Sequence, residues 1–244
     1  MKKVAFITGA NKGIGFEASR QLAKKGITVI MGSRSDQRGK QASEQLKSEG
    51  LDVEFLKLDI TQPESFDEAK KYIDEKYGQL DILVNNAGII HSEESWGENT
   101  TETVSLEALR QTFEVNFFGL VALTQKLLPL IRKSKQGYIT NVSSILGSVN
   151  VQNDAESGWY GVKPFAYNAS KTALNSFTVH LVALLKDTNI KVNSAHPGWV
   201  KTDLGTDAAP MDVVSGAKTL VNLSLEEKTS FTGKFIHLDE EVPW

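Results

Sequence analysis

The chain has 244 residues, of which 40% are hydrophobic, and a formal net charge of −3. This length and composition fit one α/β domain with a sizeable core, and the charge favours neither nucleic acid nor an anionic membrane as a partner. Because the chain has no cysteine, disulfides, thiol catalysis and zinc–thiolate sites are excluded.

Short apolar segments alternate with amphipathic ones along the first half of the chain. Strands are predicted over 3–8, 27–33, 52–59 and 80–88. Helices are predicted over 13–26, 36–50 and 63–78, and each of these segments ends in glycine, a residue that commonly follows the last helical turn.

The alternation continues through the second half. A long helix is predicted over 105–132, bent or ended by Pro129, and a second over 166–187. Strands are predicted over 137–144, 190–198 and 233–239.

This order of elements predicts an α/β fold: a doubly wound parallel sheet with helices on both faces, in three α/β/α layers. No linker or repeat divides the sequence, so we expect one domain over 1–244. No apolar stretch is expected to span a membrane, and the N-terminal apolar run is too short for a signal peptide, so we expect a cytoplasmic protein. Ligands of such sheets bind beyond the carboxyl ends of the strands.

A glycine-rich turn follows the first predicted strand, with the sequence "TGANKGIG" at 8–15. Glycine permits a tight turn and lets a phosphate approach the backbone, while the following helix offers unpaired N–H groups. The spacing G-x-x-x-G-x-G differs from the common dinucleotide pattern G-x-G-x-x-G. A turn that binds no ligand is the alternative.

The end of the second predicted strand indicates which dinucleotide would bind. An NAD enzyme usually carries an acid here, but this chain has Ser33 followed by Arg34. Asp36 is expected to cap the next helix. Lys12 and Arg34 together suit a 2′-phosphate, although either could be a solvated surface charge.

Two tyrosine–lysine pairs occur within "GWYGVKPFAYNASK" at 158–171. Tyr167 and Lys171 are four positions apart on a predicted helix and share a face. Tyr160 and Lys163 precede Pro164, which places them in a loop with no fixed mutual geometry. An ammonium beside a phenol lowers its pKa, so the helical pair is the candidate acid–base pair. An ordinary surface pair is the alternative.

Seven motifs taken together resemble the short-chain dehydrogenase/reductase family. They are "TGANKGIG" at 8–15, "LDI" at 58–60, "NNAG" at 85–88, "VNFFG" at 115–119, "NVSS" at 141–144, "YNASK" at 167–171 and "HPGWVKTDL" at 196–204. The resemblance covers essentially the whole chain, implies a Rossmann fold, and is greatest to the monomeric carbonyl reductases of the family.

The resemblance implies four catalytic residues. Tyr167 would protonate the carbonyl oxygen, Lys171 would lower the pKa of Tyr167 and hold the nicotinamide ribose, and Ser144 would bond the substrate oxygen. Asn116 would place a water in the proton relay. Ser143 is the alternative to Ser144, which is preferred because it directly precedes "ILG".

The resemblance also implies a site for NADPH or NADP. Its residues would be Gly9, Asn11, Lys12, Gly13, Ile14, Gly15, Ser33, Arg34, Asp59, Ile60, Asn86, Ala87, Gly88, Tyr167, Lys171, Pro197, Gly198, Val200 and Thr202. Asp59 and Ile60 would meet the adenine, and Pro197 to Thr202 would hold the carboxamide end.

The function implied is NADPH-dependent reduction of a ketone or aldehyde, with a small-molecule carbonyl compound as substrate. A cofactor-binding sensor without turnover, an epimerase or dehydratase, and an alcohol dehydrogenase working oxidatively are the alternatives. Loops at 89–104, 147–166 and 203–212 would determine the substrate. We expect at least one of Trp96, Trp159 and Phe165 to contact it.

Two further expectations concern metals and assembly. The four histidines, at positions 91, 180, 196 and 237, are scattered, so no metal site is expected. The segment "VQNDAESGWYGVKPF" lengthens the separation of Ser144 from Tyr167 to 23 positions. In the resembling carbonyl reductases such an insertion blocks subunit assembly, so a monomer is expected.

Overall fold

The computed structural model describes residues 2–225 and 227–244, so the predicted domain is described except at positions 1 and 226. Its eight strands form one sheet in the order β3-β2-β1-β4-β5-β6-β7-β8, parallel except for the last pair. The strands are β1 Val4–Thr8, β2 Thr28–Ser33, β3 Val53–Lys57, β4 Ile82–Asn85, β5 Gly137–Val142, β6 Ile190–Ala195, β7 Phe235–His237 and β8 Glu240–Glu241.

Helices cover both faces of this sheet. In the described residues they are α1 Gly13–Lys24, α2 Asp36–Ser48, α3 Pro63–Tyr77, α4 Leu106–Phe113, α5 Gly119–Ile131, α6 Val149–Asn153, α7 Phe165–Leu184 and α8 Val213–Leu223. The predicted three-layer fold is confirmed. The chain adds strands to one side of β1 as far as β3 and to the other side from β4 onward, and such folds bind ligands at this switch point.

Alternate side chains of each central strand enter two separate cores. In β1, Ala5 and Ile7 pack in the core beneath α1, α2 and α8, while Val4 and Phe6 pack beneath α3, α5 and α7. A strand buried on both faces reads as a continuous apolar run, which is why "VAFI" has no polar alternation.

The long helix predicted over 105–132 is a continuous helical run in three parts. A π-helical turn over Glu114–Phe118 joins α4 to α5, and Pro129 lies inside α5 without ending it there. By length and composition alone the run Leu106–Ile131 is long and apolar enough to span a membrane, contrary to expectation. Its leucines at 120, 123, 127 and 130 are buried against the sheet, as in the core helix of a globular domain.

Candidate active site

A cleft of about 620 Å³ opens where the carboxyl ends of the parallel strands meet. Most of the predicted cofactor residues line it. They are Gly9, Asn11, Lys12, Gly13, Ile14, Gly15, Ser33, Arg34, Asp59, Ile60, Asn86, Ala87, Gly88, Tyr167, Lys171, Pro197 and Thr202. Topology therefore brings together residues that lie as far as 193 positions apart in the sequence, because each ends or follows a strand, or lies in the first two turns of a helix, at this edge.

Gly198 and Val200 do not line the cleft. Gly198 has a φ of 93°, and a side chain there would approach the Met211 sulfur to 2.8 Å and the His237 ring to 3.0 Å. Val200 is 3% exposed and forms an isolated bridge with Met211. These two residues shape the loop that carries Pro197 and Thr202, which do line the cleft.

The glycine turn has the backbone that the sequence indicates. Gly9 and Gly13 have φ angles of 64° and 58°, which side chains disfavour. A Cβ on Gly15 would lie 2.7 Å from the Gly9 carbonyl oxygen and 2.5 Å from Asn86 Nδ2. The Asn86 amide donates to the carbonyl oxygens of Thr8 and Gly9, at 2.8 and 3.2 Å. The turn is thus clamped against the segment after β4, and its concave backbone fits a phosphate-bearing ligand.

The two cations at the mouth of the cleft differ in their surroundings. Arg34, directly after β2, is exposed and forms no ion pair with another described residue. Lys12 forms an ion pair with Asp203 from the loop after β6. Both of these side chains are more than half exposed, and the lysine holds the pKa of Asp203 below its usual range.

The prediction that Asp36 caps α2 is wrong. Ser35 is the N-cap, and its hydroxyl accepts a hydrogen bond from the Arg38 backbone N–H at 3.3 Å. Asp36 is the first helical residue, where its charge complements the helix dipole. The charge of Arg38, a residue outside the sequence motifs, also contributes to the lowered pKa of Asp203.

Tyr167 lies in the first turn of α7 and is 5% exposed. Its hydroxyl interacts with the side chain of Ser144, which together with Ser143 follows β5. Ser144 itself is 8% exposed, and its Oγ accepts from the Leu146 backbone N–H at 3.2 Å. The two hydroxyls therefore form a compact polar pair that an oxygen of a bound ligand could join.

In this structure the pKa of Tyr167 is raised, and Lys171 is not among the groups that shift it. Burial raises the pKa of Tyr167 to about 12, and the interaction with Ser144 opposes this only in part. Lys171 Nζ lies 5.7 Å from the Tyr167 ring centroid and donates to the Val142 carbonyl oxygen at 2.9 Å. The phenol is therefore neutral at neutral pH and has a proton to donate.

Lys171 and Asn116 meet at Gly88. A Cβ on Gly88 would be 3.3 Å from Lys171 Nζ and 3.4 Å from Asn116 Oδ1. Burial lowers the pKa of Lys171 to about 8. Asn116 lies in the π-helical turn, where its amide bonds both backbone groups of Ile89 and the Ser170 hydroxyl. Such turns often mark functional sites because they redirect side chains from the α-helical path.

Ser143 and Ser144 point to different partners. Ser143 lines the cleft, and its hydroxyl donates to the Lys171 carbonyl oxygen at 3.4 Å. Ser144 interacts with the Tyr167 side chain instead. The backbone after them is held by buried His196, whose Nδ1 accepts from the Ile145 N–H at 3.3 Å.

The Tyr160–Lys163 pair has a fixed arrangement, contrary to expectation. The Lys163 ammonium lies 4.7 Å from the Tyr160 ring centroid and donates to the Gln152 carbonyl and amide oxygens. The contact is a cation–π contact with the ring face, away from the cleft-lining residues, and Tyr160 is 47% exposed.

The three aromatic residues that were expected near the substrate lie in different parts of the structure. Trp96 packs edge-on against the Tyr167 ring, with centroids 5.3 Å apart, and its indole N–H donates to the Leu204 carbonyl oxygen. Trp159 packs against Trp199 beside a second cavity. Phe165 is 40% exposed and lines a groove on α7.

Two of the scattered histidines meet in the fold. The His196 and His237 rings lie 4.7 Å apart, and burial together with the neighbouring ring lowers the pKa of His196 to about 3. Within the described ranges no group of three or more histidine, aspartate or glutamate side chains could hold a metal ion.

Comparison with known proteins identifies the family. A profile described as short chain dehydrogenase matches residues 3–212. A protein of Saponaria officinalis named short-chain dehydrogenase/reductase 1 is 34% identical, over 100% of this chain and 96% of that protein. The mouse protein carbonyl reductase [NADPH] 1 is 31% identical, over 100% and 99% of the two chains. The solved structure of an NADPH-bound carbonyl reductase from chicken fatty liver superposes with a TM-score of 0.84 and 27% identity, covering 100% of this chain and 99% of that one. The chain belongs to the short-chain dehydrogenase family of oxidoreductases.

Proposed function

We propose that this oxidoreductase reduces a ketone or aldehyde carbonyl with NADPH, and that Tyr167 is the proton donor. The observation that carries the proposal is the buried, interacting pair of Ser144 and Tyr167, with Lys171 lining the same cleft as the glycine turn. A relative named for carbonyl reduction with NADPH, matched along its whole length, supports the same reaction.

The residues present fit a dinucleotide. A side chain at Gly15 would fill the cradle between the glycine turn and Asn86, and the cleft is large enough for an extended cofactor. Asp59 and Ile60 would hold the adenine end, and Lys12 and Arg34 the 2′-phosphate. Pro197 and Thr202 would hold the carboxamide end, with Gly198 and Val200 supporting their loop. When bound, the nicotinamide supplies the hydride.

Each candidate catalytic side chain has a defined task in this proposal. Ser144 and Tyr167 donate to the carbonyl oxygen as negative charge develops there, which stabilises the transition state electrostatically. Tyr167, neutral because its pKa is raised, then transfers its proton to that oxygen. Lys171 holds the ribose and, with Asn116 through a bound water, replaces the lost proton.

The substrate is proposed to bind between the segments 89–104, 147–166 and 203–212. Trp96 from the first segment contacts Tyr167, and its bond to Leu204 joins the first segment to the third. An apolar wall therefore stands beside the proton donor, which favours a substrate with apolar bulk next to its carbonyl group.

A monomer is proposed from the packing of the inserted segment. The Asn168 amide of α7 donates to Gln152 and to the Val162 carbonyl oxygen, at 3.2 and 3.1 Å. The segment thus folds over the start of α7. A cytoplasmic location remains part of the proposal, on the basis of the cysteine-free composition.

The decisive experiment follows NADPH oxidation with a panel of quinones, dicarbonyls, aryl ketones and aliphatic ketones. Tyr167→Phe should lose about 10²- to 10⁴-fold in rate while still binding cofactor, because the general acid is removed. Tyr160→Phe is the matched control and should retain the wild-type rate. A fully active Tyr167→Phe variant would overturn the assigned proton donor, and no turnover of any panel member would favour a cofactor-binding sensor.

A further inference from the structure

Helix α7 begins without a cap from its own sequence. Its N-cap residue is Pro164, which has no side-chain cap and no backbone N–H. The first helical N–H groups, those of Phe165, Ala166 and Tyr167, have no intrahelical partner and lie in a buried or partly buried environment. Their partners must therefore come from elsewhere in the fold.

Glu94, which lies 72 positions before Ala166, supplies most of those partners. Its Oε1 accepts from the Ala166 N–H at 2.8 Å, and its Oε2 accepts from the Tyr167 N–H at 3.0 Å. The Thr100 hydroxyl accepts from the Phe165 N–H at 2.8 Å and donates to Glu94 at 2.8 Å. Two side chains thus satisfy all three orphan donors.

Burying a carboxylate costs free energy unless hydrogen bonds or nearby positive charge compensate for its lost hydration. Glu94 is 7% exposed, whereas its neighbour Glu93 is exposed. Three hydrogen bonds and the positive end of the helix dipole offset the loss of hydration. The segment that carries Glu94 also contacts the side chain of the tyrosine, since Trp96 packs against the Tyr167 ring.

We propose that Glu94 is a positioning residue for the proton donor. Its carboxylate fixes the backbone of the first turn of α7, and this sets where the Tyr167 hydroxyl lies relative to Ser144. The inference rests on the proposed function, because positioning matters only if Tyr167 transfers a proton. A misplacement of about 1 Å at a reacting group can cost on the order of 10² in rate.

The test uses Glu94→Gln in the full-length enzyme, with hydride transfer measured in single-turnover NADPH oxidation. Glutamine keeps one acceptor oxygen but turns an N–H group toward a backbone donor. The rate of hydride transfer should fall about 10- to 100-fold, and the Kd for NADPH should not change. Rates are expressed per folded enzyme molecule, which is counted from the stoichiometry of cofactor binding. Glu107→Gln, which removes an exposed carboxylate from the first turn of α4, should change neither value.

A double-mutant cycle separates positioning from general destabilisation. In the Tyr167→Phe background, Glu94→Gln should cost little further rate, because the hydroxyl it positions is gone. An equal loss in both backgrounds would overturn the proposal. If Glu94→Gln fails to fold, Thr100→Val carries the same cycle, with a smaller but equally non-additive loss expected.

An independent readout keeps the two hypotheses distinguishable. The amide proton of Tyr167, bonded to a carboxylate, should resonate downfield in the wild type and move upfield in Glu94→Gln. An unmoved resonance would overturn the cap whatever the enzyme does. If the wild type shows no turnover while the resonance moves, the proposed function fails and the capping contact stands.

Discussion

The 2′-phosphate of NADPH, the proposed cofactor, gives a specific prediction, because the structure distinguishes two cations that are equivalent in the sequence. Arg34 has no ion-pair partner among the described residues, whereas Lys12 is paired with Asp203. Lys12 must give up or share that partner to bind a phosphate. We therefore expect Arg34→Ala to weaken NADPH binding more than Lys12→Ala does.

The magnitudes follow from the two kinds of contact. A charge-assisted hydrogen bond contributes about 1.5–3 kcal/mol, so Arg34→Ala should raise the KM for NADPH by about 10- to 100-fold. An exposed ion pair is worth about 0.2–1 kcal/mol, and Lys12 must give up its pair with Asp203. The increase in the KM for NADPH caused by Lys12→Ala should therefore be smaller than that caused by Arg34→Ala, by a factor of about 1.5 to 5. Asp203→Asn, which frees Lys12 and removes a repulsive charge, should lower the KM for NADPH by a similar small factor.

Steady-state kinetics with NADPH and NADH provide the assay. The changes should appear in KM, since the phosphate is remote from the reacting carbon and binds alike in ground and transition states. Ser33→Asp combined with Arg34→Ala should shift preference toward NADH. Lys40→Ala, which removes an exposed cation of α2 that does not line the cleft, is the control. Equal efficiency of the wild type with both cofactors, or weaker NADPH binding by Asp203→Asn, would refute the reasoning.

Three other outcomes are expected. Because burial lowers the pKa of Lys171 to about 8 from 10.5, the unfolded chain binds more protons between these values, and stability should rise with pH across this range. Lys171→Met carries no titrating group at this position and should therefore be more stable than the wild type at neutral pH. In denaturant titrations this difference in the free energy of unfolding should shrink by about 3 kcal/mol toward pH 10, at ~1.36 kcal/mol per pKa unit. Gly15→Ala, whose methyl group would meet backbone and Asn86, should cost about 1–3 kcal/mol of stability, while Gly97→Ala, with nothing within 4 Å, should be near neutral in the same titrations. Light scattering at micromolar concentration should show a monomer, and a stable tetramer would contradict the proposed role of the inserted segment.

The sheet and most helices could be predicted because buried parallel strands and amphipathic helices leave a periodic apolar pattern. Helix α8 is not predicted from the sequence, because Gly216 and several β-branched residues have low helix propensity. A side chain at Gly216 would approach Val200 Cγ2 to 2.5 Å, so the glycine is there for packing that the sequence does not display. Strand β8 has only two exposed glutamates and carries no pattern.

The cleft could be largely predicted because most of its motifs end or follow a strand. The contacts that remained hidden join distant segments of polar sequence. Nothing in "HSEESWGENTT" distinguishes buried Glu94 from exposed Glu93. The pairing of Lys12 with Asp203 spans 191 positions, and the pKa of Tyr167 depends on burial that spacing along a helix does not reveal.

The π-helical turn at Glu114–Phe118 has a consequence for natural and engineered length variants. A π turn accommodates one residue more than an α turn, so a single deletion there would convert the run to regular α-helix. Because the π turn absorbs its extra residue locally, the helices on both sides would keep their faces, and α4 would still pack against α7. Only the turn itself would tighten, and the Asn116 amide would leave the position from which it reaches both backbone groups of Ile89. A one-residue gap at this point in a related chain would therefore mark a protein in which the asparagine's place is vacant or filled by another residue.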